Sequence, residues 1–228
     1  MKIVVFVPHP DDEIFSCAGS ILKWMSNPLN NIHIVYVTDN RALITWGKKN
    51  NQIIPKEAKE YIDLNEDEIG VICLKEAKSV AKAFGFPKEN VHLFKFHDQD
   101  ASNQINRGII LAKAIIYDAD RIVMPSDNNN HPDHQATHTI VKETAIELNL
   151  VNTEFYVYAI YNVMKAPMEK QVKIRIAEYR DQIYDIMTLY KTQLALKDTR
   201  MGWSVLKRKR SERFGVFNLS EAGKYYNF

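Results

Sequence analysis

The stretch KIVVFVPHPDDE, residues 2–13, decides how the chain is read. Six residues, five of them apolar, run without a break into Pro8, and then a histidine, a second proline and three acids arrive together. An uninterrupted apolar run of that length is what a strand covered on both faces requires. Proline after His9 suits a first helical position, and acids in a first turn complement the positive end of a helix. The stretch therefore predicts a buried parallel strand followed at once by a helix whose first residue is Pro10. That reading accounts for the acids and leaves His9 without a purpose.

Outward from there the same alternation continues. NIHIVYVT (31–38), NVHLFKF (90–96), RIVMPS (121–126) and EFYVYAI (154–160) are strand-length runs rich in β-branched and aromatic residues. Segments of helical period lie between them: DEIFSCAGSILKWM, CLKEAKSVAKAFGF with Gly85 as C-cap, ASNQINRGIILAKAIIYDA and HPDHQATHTIVKETAIEL. Strands alternating with helices imply βαβ units, and right-handed crossovers place helices on both faces of the sheet. The expected fold is an α/β, Rossmann-like, open and mostly parallel sheet with a C-terminal helical extension, in which residues 170–196 form a long helix. Residues 1–228 are read as a single domain. The polar segment 40–70 is long for a connection and is read as a lid or wall.

A second cluster, NNNHPDHQATH (128–138), repeats the device of the first: a strand, then His-Pro-Asp at a helix start. In an open parallel sheet both would lie beyond the carboxyl ends of the strands, where ligands bind. His9 and Asp12 are three residues apart, as are His131 and His134, so each pair can face one side of a helix. Three imidazoles and several carboxylates around one point suit zinc, with iron or another divalent ion also compatible. Asp11 and Asp12 point about 100° apart on a helix, so one can ligate while the other faces a water. His134 and His138 are spaced like a helical zinc pair, but Gln135 stands where that motif needs glutamate, and His138 is read as helix surface or as a support behind the ligands. The acids of HDQD (97–100) end a strand and are read as a turn by default, with a role in a substrate cleft as the second reading. Trp46 and Tyr61 offer faces for a sugar or for packing.

Composition excludes other classes. The net charge of +2 argues against a nucleic-acid partner, and KRKR (207–210) is read as a solvated face. No run reaches the ~18 to 20 apolar residues of a membrane span. Two cysteines make no disulfide framework, and with no signal-like h-region the expected location is the cytoplasm. Neither a Gly-x-Gly-x-x-Gly loop nor a Gly-x-Ser-x-Gly elbow is present, which disfavours dinucleotide and serine-hydrolase chemistry.

PHPDDE followed by HPDH resembles the PIG-L/LmbE family of zinc-dependent N-deacetylases. KTQ (191–193) and SERF (211–214) echo that family's late Ser-Gln and closing Glu-x-Phe. The resemblance implies zinc held by His9, Asp12 and His134, Asp11 as general base, and His131 as a charged imidazole that stabilises an oxyanion or protonates the leaving amine. Asp133 would orient a neighbouring histidine or cap its helix. The implied substrate is a small N-acetylated amino sugar or sugar conjugate, and relatives often form homo-oligomers. Two positions depart from the pattern. Asn40 and Arg41 stand where a Gly-Glu pair is usual, and Cys73 stands where an arginine is usual, three residues before Glu76. Arg41 is taken as the substrate-binding cation, with Lys75 as the other candidate. The departures leave a non-catalytic metal or sugar-conjugate binding protein as the alternative function.

Overall fold

The computed structural model describes residues 1–160 and 162–221. Seven strands form one sheet in the order β3-β2-β1-β4-β5-β7-β6. The first five in that order, β3 (Val91–Phe96), β2 (Asn31–Thr38), β1 (Lys2–Val7), β4 (Arg121–Pro125) and β5 (Glu154–Tyr158), are parallel. The expected strand-helix alternation is thus present. Every residue of β1 from Ile3 to Val7 is fully buried, because β1 lies inside the sheet between β2 and β4 with helices on both sides. Its alternate residues serve different layers. Ile3, Val5 and Val7 pack with α2 (Ala18–Met25), α4 (Glu66–Phe84) and α7 (Arg180–Met187), whereas Val4 and Phe6 pack with α5 (Ile105–Ile116) and α6 (Pro132–Glu147).

Local signals set the helix ends. Asn65 and Glu68 form a reciprocal capping box at the start of α4, and Gly85 ends it with φ of 103°. His131 caps α6 and Pro132 is its first residue, as the second cluster predicted. The first cluster is built differently. Its helix α1 (Asp12–Ser16) starts two residues after Pro10, and Asp11 stands before it at φ 115°. This left-handed conformation is uncommon for a residue with a Cβ and costs about 1–3 kcal/mol. Its neighbours hold it in place. The Glu13 carboxylate accepts the Asp11 N–H at 3.2 Å, while the side chains of Asn40 and Gln193 donate to the Pro10 carbonyl at 3.2 and 3.3 Å.

The C-terminal third also departs from expectation. Residues 170–196 are not one helix: Gln171–Arg175 is strand β6, a 3-10 turn follows at Ala177–Tyr179, and α-helix begins at Arg180, as α7, α8 (Lys191–Leu194) and then α9 (Lys197–Leu206). QVKIR alternates polar and apolar with period two, and that strand signal outweighs the helical period that follows it. β7 (Ser211–Phe217) then runs antiparallel between β5 and β6.

The order of the strands places the functional region. The chain winds from β1 through β2 to β3, then crosses back to lay β4 on the other side of β1. This reversal opens a crevice at the carboxyl ends of β1 and β4, where open α/β sheets bind ligands. Segment 40–70 contributes α3 (Leu43–Lys49), which stands over that crevice as a wall.

Candidate active site

β1 and β4 are hydrogen-bonded neighbours, so the two His-Pro-Asp clusters that follow them meet. The His9 and His131 rings are 4.7 Å apart between centroids, His9 and His134 5.3 Å, and His131 and His134 5.6 Å. Asp12 lies between two of them. Its Oδ2 is 3.2 Å from His9 Nδ1 and 3.3 Å from His134 Nε2. The ligating atoms of His9, Asp12 and His134 all lie within 4.8 Å of one another, and all three side chains are buried. Two ligand atoms bound tetrahedrally to one zinc at ~2.1 Å stand about 3.4 Å apart. The donor set therefore fits a divalent ion.

The other nitrogen of His9 faces two more carboxylates, Asp133 at 3.1 Å and Asp98 at 3.2 Å. Asp133 also accepts the backbone N–H groups of Gln99 and Ala101, at 2.7 and 3.0 Å. It therefore orients His9 across the two clusters and ties the β3 turn to the site. For Asp98 a turn is the default expectation and a cleft role the second, and the structure has the second. Asp98 is buried, accepts the Ala42 N–H at 3.1 Å and lines the crevice. His9, Asp98, His131 and Asp133 form a second converging group. Three of its members, Asp98, Asp133 and His131, are already committed to backbone donors.

Electrostatics sort the groups. Burial disfavours a charged His9, but the carboxylates of Asp12, Asp133 and Asp98 outweigh it and raise its pKa well above the ordinary value. Burial lowers His134 to about 4, so this imidazole is neutral at pH 7 with a lone pair to offer. Burial, then the Asp12 and Glu13 charges, push Asp11 well above the ordinary carboxylate range. His131 is pushed down by burial and by His9. That direction runs against an imidazole that is charged from the outset. His131 Nδ1 accepts the Asp133 N–H at 3.3 Å, which leaves Nε2 to carry the proton.

Asp11, Asp12, His9, His131 and His134 all line one cavity of about 360 Å³. Asn40, Asn129 and Gln193 add amides, and Leu43, Trp46 and Leu196 add apolar walls. Arg41 is not brought to this wall. Its guanidinium pairs with Asp39 at 2.7 Å and with Asp67, and its neighbour Asn40 takes the place in the cavity. Lys75 is exposed on α4. Cys73 is buried against the Asn40 carbonyl and the Thr192 hydroxyl. Glu76 accepts from the Thr192 N–H and hydroxyl, which fixes α8 so that Gln193 reaches the cavity. The KTQ echo thus lies at the site, although residues 191–193 follow Asp12 by some 180 positions.

Residues 4–145 match the model of the PIG-L family, described as GlcNAc-PI de-N-acetylase. This chain belongs to the PIG-L family. Comparison with curated protein sequences finds no match. Several solved structures share the fold. N,N'-diacetylchitobiose deacetylase from Pyrococcus horikoshii, complexed with an inhibitor, superposes with a TM-score of 0.71 at 17% identity, covering 96% of this chain and 85% of that one. A deacetylase of the teicoplanin biosynthesis pathway gives 0.69 at 14% identity over 96% and 98%. The 4-carboxy-2-hydroxymuconate hydratase from Pseudomonas putida gives 0.60 at 14% identity over 94% of both chains. At such identities the likeness is one of fold, and a hydratase among deacetylases means that chemistry has to be argued from the side chains.

Proposed function

We propose that this PIG-L family member is a metal-dependent hydrolase that removes acetyl from an N-acetylated amino sugar or sugar conjugate. His9, Asp12 and His134 would hold the ion, zinc first among the divalent candidates. The observation that carries the reading is the convergence of these three donors at ligand separations, with Asp11 and His131 on the same cavity wall.

When bound, such an ion supplies Lewis-acid chemistry, polarising the amide carbonyl and acidifying a water so that it can attack near neutral pH. Asp11 accepts the proton that this water loses. Its raised pKa makes it a stronger base than an ordinary carboxylate. The Nε2–H of His131 donates to the negative oxygen that develops on the acetyl carbon. The C–N bond then breaks, acetate departs, and the nitrogen takes the proton held by Asp11 to leave as the amine, which restores the Asp11 carboxylate. Asp133 and Asp98 hold His9 in register through its Nε2. Leu43 and Leu196 shield the acetyl group from bulk water.

The test is acetate release from N-acetylglucosamine and its conjugates, with zinc and with chelator. Zinc-dependent release is expected from the wild type. Asp11→Asn should retain the metal and lose about 10²–10⁴ in rate. The activity of the wild type should rise with pH as Asp11 ionises, with a midpoint above the ordinary carboxylate value of about 4. A zinc-loaded Asp11→Asn protein with full turnover would overturn the mechanism. Sugar binding without release would return the non-catalytic alternative.

A further inference from the structure

The catalytic cavity does not end at Trp46. Trp46 also lines a second cavity of about 500 Å³, and Ala42, Asp98 and Gln99 are further walls common to both. Each is of the size that holds a small ligand. Trp46 sits on α3 and is 40% exposed. Among the described residues its ring stacks on no other aromatic and its indole N–H has no acceptor. A large amphipathic ring left uncovered between two cavities is poised for a ligand. Its support is firm. A Cβ at Gly47 would stand 2.5 Å from Leu196 and 2.8 Å from Ile53, so α3 is seated directly on those side chains.

Around the second cavity, Thr45, Lys49 and Glu66 have no hydrogen-bond partner in their side chains among the described residues. Hydroxyl, ammonium and carboxylate beside an aromatic face match the alternating C–H faces and hydroxyl edges of a sugar ring. The charge balance restricts the choice. Glu66, Asp98 and Asp100 set three carboxylates against the single lysine, which disfavours a phosphate. Asp98 faces the catalytic cavity as well, so the two regions form one continuous cleft.

We propose that Trp46 is the platform of a second subsite, one that takes an uncharged saccharide ring joined to the acetylated unit held in the catalytic cavity. The proposal rests on the deacetylase reading for what occupies the first cavity. It makes the substrate a glycan of at least two neutral rings and assigns specificity to α3.

The experiment compares N,N'-diacetylchitobiose, N-acetylglucosamine and N-acetylglucosamine 1-phosphate on the zinc-loaded full chain, by acetate release and by calorimetry. The disaccharide should exceed the monosaccharide at least tenfold in kcat/KM, with the 1-phosphate below both. Trp46→Ala should cut the disaccharide-to-monosaccharide ratio at least fivefold, and Trp46→Phe should restore most of it. An unchanged ratio in Trp46→Ala, or a preference for the 1-phosphate, would overturn the subsite. If no sugar releases acetate, the deacetylase reading fails and calorimetry decides the subsite alone. Disaccharide heat lost in Trp46→Ala and recovered in Trp46→Phe would sustain it, and absence of heat would overturn it.

Discussion

Glu13, the third acid of PHPDDE, shows how a single residue sets the geometry of the site. It is fully buried and receives the Tyr190 hydroxyl at 2.5 Å, the Tyr36 hydroxyl at 3.3 Å and the Asp11 N–H at 3.2 Å. Burial dominates its titration and raises it to about 7, the hydrogen bonds only partly offsetting that rise. The sign of the linkage follows. Between about 4.5 and 7 the unfolded chain has lost this proton and the folded chain keeps it, so stability falls as pH rises through that window and then levels. Glu13→Gln cannot ionise, so in chelator-treated protein its stability should decline less across the same window, as measured by urea unfolding at a series of pH values. A slope equal to that of the wild type would show that Glu13 is not the group responsible. Asp133 acts at the same scale on the metal. Because its carboxylate holds His9 Nε2, Asp133→Asn should weaken zinc about 10–100-fold in competition with a chelating dye. Unaltered affinity would reduce Asp133 to a helix residue that pins the β3 turn.

At the scale of elements, what was legible follows from how local each signal is. β1 was legible because a strand covered on both faces is apolar throughout, and α6 because His131, Pro132 and Asp133 carry a complete helix start in three residues. The same signals misled at Pro10, where the partners that hold Asp11 at φ 115° include Asn40 and Gln193, thirty and more than 180 residues away. Asp98 was hidden for a related reason. An acid after a strand is ordinarily a turn, and only the pairing of β3 with β2 and the seating of α3 on its carboxylate bring it to the crevice. The metal-ligand candidates were visible because both clusters concentrate histidine, proline and aspartate. The walls of the cavity were not, since Leu43 and Leu196 resemble any core residue. Close helix contacts carry no sequence signal beyond a glycine. A Cβ at Gly108 of α5 would meet Ile140 of α6 at 2.5 Å. Gly108→Ala should therefore cost about 1–3 kcal/mol in urea unfolding while Ile140 repacks. The combination with Ile140→Val should recover part of that loss, and no loss in the single variant would mean that the helices separate freely.

The whole molecule is closed by its C-terminal third, although the family match ends at residue 145. Glu212 of β7 accepts the N–H groups of Gly19 and Ser20 at 3.1 and 2.8 Å, at the start of α2. Tyr190 supplies the hydroxyl on Glu13, and Gln193 reaches Pro10. A fragment of residues 1–165 should thus lack a cooperative thermal transition in circular dichroism and should not hold zinc, whereas a fragment that melts sharply would place the folding unit wholly in the matched region. The kind of fold and the meeting of two histidine clusters are consequences of the order β3-β2-β1-β4-β5, which sets the ends of β1 and β4 side by side. That meeting is the central claim, and anomalous diffraction at the zinc edge from crystals of the zinc-loaded chain tests it most directly. One peak about 2.0–2.2 Å from His9, Asp12 and His134 together is the result this account predicts. Zinc bound elsewhere, or by the histidines of only one cluster, would contradict it.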